Sequence, residues 1–405
     1  MRAVLRRKDF RLVCFGMAVS LLGDASLLLI PAILAKKLTG SNSAAGLTLF
    51  FFSLPLLFAP LFGVLIDRVD RRRLLVVTCL CSALALLPLA AVSAESFWLL
   101  YAVSAAMGCS YTVTFAALGG LLKAMLPEEL LAQANASLLT TRQGLRLVGP
   151  LLGVAIYSAF GLGAVVVFDM VTFGVAALAF ALMPAVPYAR RVRGVRGGGG
   201  ASWREEFGAG VRLLRLDPKL RRAGTALSVM FAVGGATESL IFAVIEALGR
   251  SPEFAAVTSA AMGVGAIGGG LVAASAIGRW GELAAIGAGV GLYGVAIALW
   301  LVAAEGVMVA TMAASGAGVT LTSVAMATLL QRRSPEEVVG RVATAFDAVS
   351  GGAQLVAVAA GALLVTLVDY RVLLVAVAGV CALAAWHAFS GGPRRLRSDV
   401  DLCRD

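Results

Sequence analysis

Histidine is nearly missing from this sequence: His387 is the only one in 405 residues. A histidine-rich metal centre is therefore excluded. The His-x-x-x-x-Asp pattern of acyltransferases is excluded too, because Gly392 stands five residues after His387. No Gly-x-x-x-x-Gly-Lys-Ser/Thr run exists, so the chain lacks the phosphate-cradling loop that ATP hydrolysis requires. The six cysteines are Cys14, Cys79, Cys81, Cys109, Cys381 and Cys403; five lie in apolar runs and one in the tail, none placed for a disulfide. Cys79 and Cys81, two apart on a helix, point to different faces and make no metal site. Charge is scarce as well: 14% of residues carry it, against roughly a quarter in soluble proteins. These absences argue against an enzyme and imply no cofactor.

Apolar residues fill the space, at 60% of the chain with a mean hydropathy of +0.92. A helix needs about twenty apolar residues to cross a bilayer. Runs of that kind fall near 10–35, 43–66, 74–94, 97–122, 131–160, 163–186, 223–247, 254–277, 283–303, 306–330, 338–368 and 372–390. The reading is an all-α membrane protein with twelve transmembrane helices. Met1–Arg11 is basic and precedes an apolar run, as in a signal peptide. That run is too long for such a peptide and is read as the first span. Putting the N-terminus in the cytoplasm places 28 of the 34 Lys and Arg on cytoplasmic segments and 4 on outer loops, which sets the orientation. Both termini are then cytoplasmic and the membrane is the cell's inner, plasma membrane. The net charge of +11 is spread over short loops facing anionic lipid, which argues against nucleic acid.

Composition divides the chain at Pro187–Arg222. Four arginines and the run Gly197–Gly200 make a solvated linker. Ser202 then opens an amphipathic helix with Trp203, Phe207, Val211 and Leu214 on one stripe. The two flanking parts repeat. At an offset of 208, Pro127-Glu-Glu meets Pro335-Glu-Glu, Gly144 meets Gly352, Gly153 meets Gly361 and Asp9 meets Asp217. The expected organisation is a six-helix bundle over 1–186, a cytoplasmic linker over 187–222, and a second bundle with a cytoplasmic tail over 223–405.

Three motifs carry the chemistry. Gly63-Val-Leu-Ile-Asp67-Arg68-Val-Asp70-Arg71-Arg72-Arg73 lies between the second and third spans. Its glycine admits a close helix, its aspartate suits a helix N-terminus, and its arginines suit carboxylates across a bundle interface. Leu21-Leu22-Gly23-Asp24 puts a carboxylate near the middle of the first span. On insertion scales that costs about 2.5–3.5 kcal/mol, so the acid lines a wet cavity, pairs with a cation or carries a proton. In the fifth span Arg142, Arg146, Gly149 and Gly153 form one helical stripe, and Pro150 bends the helix. The spacing Gly-x-x-x-Asp-Arg-x-x-Arg-Arg resembles the loop between the second and third helices of major facilitator superfamily transporters. Asp70 departs from that pattern, which usually has glycine there. Leu-Gly-Asp is similar to the first helix of the transmembrane secretion effector branch, which includes siderophore and macrolide exporters. The Gly149-Pro150-x-x-Gly153 stretch resembles the antiporter motif, although Leu145 and Val154 stand where that motif has further glycines.

The resemblance implies two pseudo-symmetric six-helix bundles around a central cavity. It implies proton-coupled efflux of a small amphipathic compound by alternating access, with protons, anionic lipid and a small-molecule substrate as the partners of a monomer. Asp24, Arg142, Arg146, Glu238 and Asp347 are the expected proton-coupling and cavity residues. Gly63, Asp67, Arg68, Arg71, Arg72, Gly149, Pro150 and Gly153 form the conformational set. Depth along the helices predicts an Asp24–Arg146 ion pair, places Asp169 too shallow for either arginine, and leaves Glu246 and Glu305 solvated. The alternatives are a lysophospholipid flippase, or a membrane sensor or assembly factor that keeps the fold without transport.

Overall fold

A computed structural model of the chain describes residues 7–58, 62, 66, 69–184, 203–333 and 339–390; for some residues within helices, Asp347 among them, only the backbone is described. Gly63, Asp67, Arg68 and the linker stretch 187–202 lie outside the described residues. The described chain is helical throughout, in fourteen α-helices joined by tight turns. The first half holds α1 (Lys8–Leu27), α2 (Ile30–Thr39), α3 (Asn42–Ser53), α4 (Arg71–Ala85), α5 (Trp98–Met125), α6 (Glu128–Phe160) and α7 (Leu162–Ala181). After the linker helix α8 (Trp203–Leu216) come α9 (Pro218–Ala247), α10 (Phe254–Trp280), α11 (Glu282–Ala298), α12 (Glu305–Arg333), α13 (Val339–Leu367) and α14 (Tyr370–Phe389). The end carrying the α2–α3 and α9–α10 turns is called upper, and the end where α4 begins is called lower.

Proline and the cap residues set the breaks. Pro31 has no N–H to give Leu27, and the first span divides there into α1 and α2. Pro55 sits where α3 tightens into a 3₁₀ turn over Leu54–Phe58. Gly40 ends α2 at φ 68°, and Ser41 accepts the Ala44 N–H to open α3. Asp217 opens α9 by accepting the N–H groups of Lys219 and Leu220 at 2.8 and 2.9 Å, and Pro218 takes the first helical position.

Among the described residues, ten helical stretches are long and apolar enough to cross a membrane. Two shorter apolar ones, Asn42–Phe58 and Gly144–Phe160, occupy the places of the second and fifth spans. The fifth is shortened because Arg142 and Arg146 lie in its lower half. Leu271, Val356 and Leu367 stand 80%, 71% and 70% exposed on these helices, which suits hydrocarbon and not water. Buried apolar side chains form two clusters, one from Phe10 to Met183 and the other from Leu220 to Ala388. Ala32, Ile33 and Ala45 of the first half pack into the second cluster, so the halves meet toward the upper end.

The 208-residue repeat reappears in the packing. A Cβ on Gly153 would lie 1.8 Å from the Ser26 carbonyl oxygen in α1, and one on its counterpart Gly361 would lie 2.6 Å from that of Ala236 in α9. Each half thus seats its fifth span on its first by backbone contact, which only glycine allows. Linker helix α8 lies against α13, with Leu213 and Leu214 against the second cluster.

Candidate functional site

At the lower end, Asp70 takes a local role: its Oδ1 accepts the Arg73 N–H at 3.1 Å and caps α4. Arg71 Nη1 donates to the Gly120 carbonyl of α5 at 3.1 Å. Arg72 donates Nε to the Phe180 carbonyl at 3.1 Å and Nη2 to that of Ala181, at the C-terminus of α7. Sequence reasoning assigned these arginines to carboxylates across the bundle interface. The structure gives Arg72 backbone carbonyls within the first half, and Arg71 a carbonyl among its contacts. A helix C-terminus presents carbonyls with no intrahelical partner and a partial negative charge, which a guanidinium satisfies without a carboxylate. Hydrogen bonds to charged groups contribute about 1.5–3 kcal/mol. Arg72→Ala is therefore expected to lower the thermal midpoint of the purified protein by that amount of stability. An unchanged midpoint would show that the caps contribute nothing.

Higher up, α6 carries the arginine stripe. The Arg142 guanidinium sits 4.8 Å from the Phe115 ring centre and 5.4 Å from that of Tyr111, both on α5. Arg146 is exposed and makes no hydrogen bond or ion pair among the described residues; its charge reaches Glu238 on α9. Gly149 lies against Ala25, where a Cβ would approach the Ala25 Cβ to 2.3 Å. Pro150 is inside the helix, which continues through it and loses the N–H that would serve the Arg146 carbonyl.

Asp24 lies one turn below the end of α1 at Leu27 and lines a small, partly open pocket between α1, α3 and α5. The walls include Leu28, Phe52 and Met107, with Thr48 and Ser104 the other polar groups. Ser20, one turn back, is the hydrogen-bond partner of Asp24. The expected ion pair with Arg146 is not formed. Ala25 and Ser26 occupy the side of α1 that faces α6, so Asp24, about 100° from one and about 160° from the other around the helix, is turned away toward the cavity. Depth alone could not register that rotation. Glu238 is held by Gln354 on one side, while its Oε2 is enclosed without a partner. The backbone of Asp347 lies in α13.

Sequence reasoning missed two features. The first is Asp169 on α7, wholly buried behind Gly23. The second is a set of ion pairs joining the halves at the upper end. Lys36 Nζ meets Glu246 Oε2 at 2.7 Å, Asn42 donates to the same oxygen at 3.2 Å, and Lys37 pairs with Glu253 while lying 5.0 Å from the centre of the Tyr157 ring. Glu246 and Glu305, expected to be solvated, are paired, the latter with Arg250. The available signal was two adjacent lysines on the side where lysine is scarce.

Glu253 lies in the turn before α10. Burial opposes its ionisation, but hydrogen bonds from Lys37, its own backbone and Ser251 outweigh it and hold the carboxyl below the usual range. A carboxyl held low stabilises the fold above its unfolded pKa, about 4.3 for glutamate, and loses that contribution only as pH falls through the lower folded value. This contact therefore persists at mildly acid pH.

Lys36 is 9% exposed but Glu246 is 60% exposed, so solvent screening limits the Lys36 pair to roughly 0.5–1 kcal/mol. Lys36→Ala is expected to open the upper seam two- to five-fold more often. The readout is thiol labelling of Ser239→Cys, since Ser239 is fully buried against Gly46. Equal labelling rates with and without Lys36 would remove these pairs from the seam.

Two packed sets of membrane-length helices, with acids and arginines facing a mostly apolar interior, define a polytopic membrane transporter. The chain belongs to the Major Facilitator Superfamily, whose family model matches residues 13–354. Over 180 residues it is 26% identical to a Bacillus subtilis (strain 168) protein described as an uncharacterized MFS-type transporter, YfiS. That match spans 44% of this chain and 43% of the relative. Among solved structures, the nucleoside transporter NupG superposes with a TM-score of 0.69 at 13% identity, over 95% of this chain and 98% of that one. A bacterial homologue of the iron transporter ferroportin, in its inward-facing state, gives 0.70 at 16% identity, over 94% and 98%. The POT family transporter PepTSo gives 0.68 at 14%, over 94% and 98%. At these identities the likeness concerns the fold alone.

Proposed function

We propose that the chain is a proton-coupled exporter of a small amphipathic compound, of drug, macrolide or siderophore type, working by alternating access. The observation that carries this reading is Asp24, a carboxyl at mid-span on the wall of a small, partly open pocket that is otherwise mostly apolar. Apolar walls suit the body of an amphipathic cargo. A titratable acid there gives the cavity two charge states, which antiport requires.

In this reading Arg142, Arg146, Glu238 and Asp347 supply the remaining cavity charges, with Arg146 and Glu238 on opposite halves. Gly63, Asp67, Arg68, Arg71, Arg72, Gly149, Pro150 and Gly153 shape the moving helices. The upper face is the outer one, closed by the lysine–glutamate pairs, so the conformation is inward-facing. Both termini and α8 then lie on the cytoplasmic side of the inner membrane, α8 against anionic lipid, and the protein works as a monomer. The test uses proteoliposomes enclosing a pH-sensitive dye. Adding a transported macrolide or cationic dye is expected to move protons in the opposite direction. Transport of every cargo without proton movement favours a flippase, and binding without transport favours a sensor.

A further inference from the structure

Asp169 is a buried acid that the mechanism above does not use. It is 0% exposed in the middle of α7. Its Oδ1 lies 3.0 Å from Thr172 Oγ1, and that hydroxyl also lies 2.8 Å from the Asp169 backbone carbonyl. A hydroxyl has one proton to donate. The shorter contact is to the carbonyl, which no protonation state can turn into a donor. With the hydroxyl proton given there, Thr172 Oγ1 and Asp169 Oδ1 face each other as two acceptors unless the carboxyl itself carries a proton.

The second carboxyl oxygen, Oδ2, is buried and has no hydrogen-bond partner. No described lysine or arginine bonds to either oxygen. An ionised carboxylate at this depth with an empty oxygen is far more costly than a neutral acid.

The surroundings point the same way. From α1, Gly23 lies directly on the carboxyl: a Cβ there would stand 2.1 Å from both Asp169 Oδ1 and Thr172 Oγ1. The next residue, Asp24, lies within electrostatic reach of Asp169 and opens onto the cavity. From α4 the titratable neighbour is Cys79, a buried thiol within reach of Asp24. From α6, Arg142 is engaged with aromatic rings and the charge of Arg146 reaches Glu238. The 3₁₀ turn after α4, Leu87–Ala91, carries no titratable group, and neither does the rest of α7. Asp169 thus has one ionisable partner of consequence, and it is another acid.

We propose that Asp169 is a second proton-carrying residue of this transporter, a neutral acid donating to Thr172 in the conformation described and exchanging its proton with Asp24 past Gly23. The exchange conserves atoms: one proton leaves Asp169 as Asp24 gains it, and Asp24 alone opens onto the cavity. The proposal rests on the proton-coupled reading, but its test needs no cargo. Infrared spectra of the full-length protein in lipid vesicles report protonated carboxyls through their C=O stretch. Wild type at neutral pH is expected to show a buried carboxyl band that Asp169→Asn removes. Thr172→Val is expected to shift it to higher frequency by taking away its acceptor, and Asp24→Asn to change the pH at which it titrates. A spectrum unchanged by Asp169→Asn overturns the assignment. So does a band indifferent to Thr172→Val, should the asparagine variant fail to fold. A band lost in Asp169→Asn yet titrating identically in Asp24→Asn overturns the exchange. Failure of proton-coupled transport itself is read separately, from the dye-loaded proteoliposomes.

Discussion

Asp24→Asn is expected to abolish uphill export while leaving downhill exchange of the same compound in place. Asparagine matches aspartate in volume and keeps a hydrogen bond with Ser20, so the cavity wall is preserved and only titration is lost. The size of the effect follows from the driving force. A proton moving inward gains about 2.3 kcal/mol per 100 mV, which for one proton and a neutral cargo sustains a gradient of about fifty-fold. Without the titrating group that gradient falls to unity. The check is steady-state accumulation in inverted vesicles with an imposed potential, beside counterflow exchange without one. Loss of both activities would mean that Asp24 holds cargo or fold and does not couple protons. Retention of both would remove it from the mechanism.

The second large effect is structural. Gly153→Leu places a Cβ 1.8 Å from the Ser26 carbonyl oxygen. A side chain could swing aside, but the obstacle here is backbone in a packed helix, so α6 has to lift off α1. Overpacking of this kind costs about 1–3 kcal/mol where neighbours can yield, and more where they cannot. Membrane helices associate through such small-residue seams. The expected result is little monodisperse protein after extraction and a markedly lowered thermal midpoint. Gly361→Leu, at the repeated position in the second half, is expected to behave alike. Gly144→Ala is the control, because nothing stands within 4 Å of a Cβ there. Equal stability of the Gly153→Leu and Gly144→Ala proteins would contradict the seam.

Much of the fold was legible because a bilayer leaves few choices. Apolar runs of span length have to be helices, since only a helix satisfies its own backbone in hydrocarbon. The repeat at 208 residues was legible for a similar reason. Glycine at Gly153 and Gly361 is demanded by a backbone contact, and such contacts leave a residue type behind.

The site was less legible. Depth follows from counting residues along an axis, and on that basis Asp24 and Arg146 look level. Which way a residue points around its helix depends on the neighbour it packs against, and Ala25 and Ser26 take the α6 side. Asp169 was passed over for a related reason: its distance from the helix end looked shallow, while burial behind Gly23 depends on α1. The contact of Arg72 was not foreseen because charge pairing is visible in sequence, whereas carbonyls at another helix's end are not.

The most direct test of proton-coupled export is an imposed pH gradient across proteoliposomes of known orientation, preloaded with a transported compound. With the upper face outward, acid outside is expected to accelerate efflux, alkali outside to slow it, and Asp24→Asn to respond to neither. Efflux from wild type at the same rate under both gradients would contradict the account.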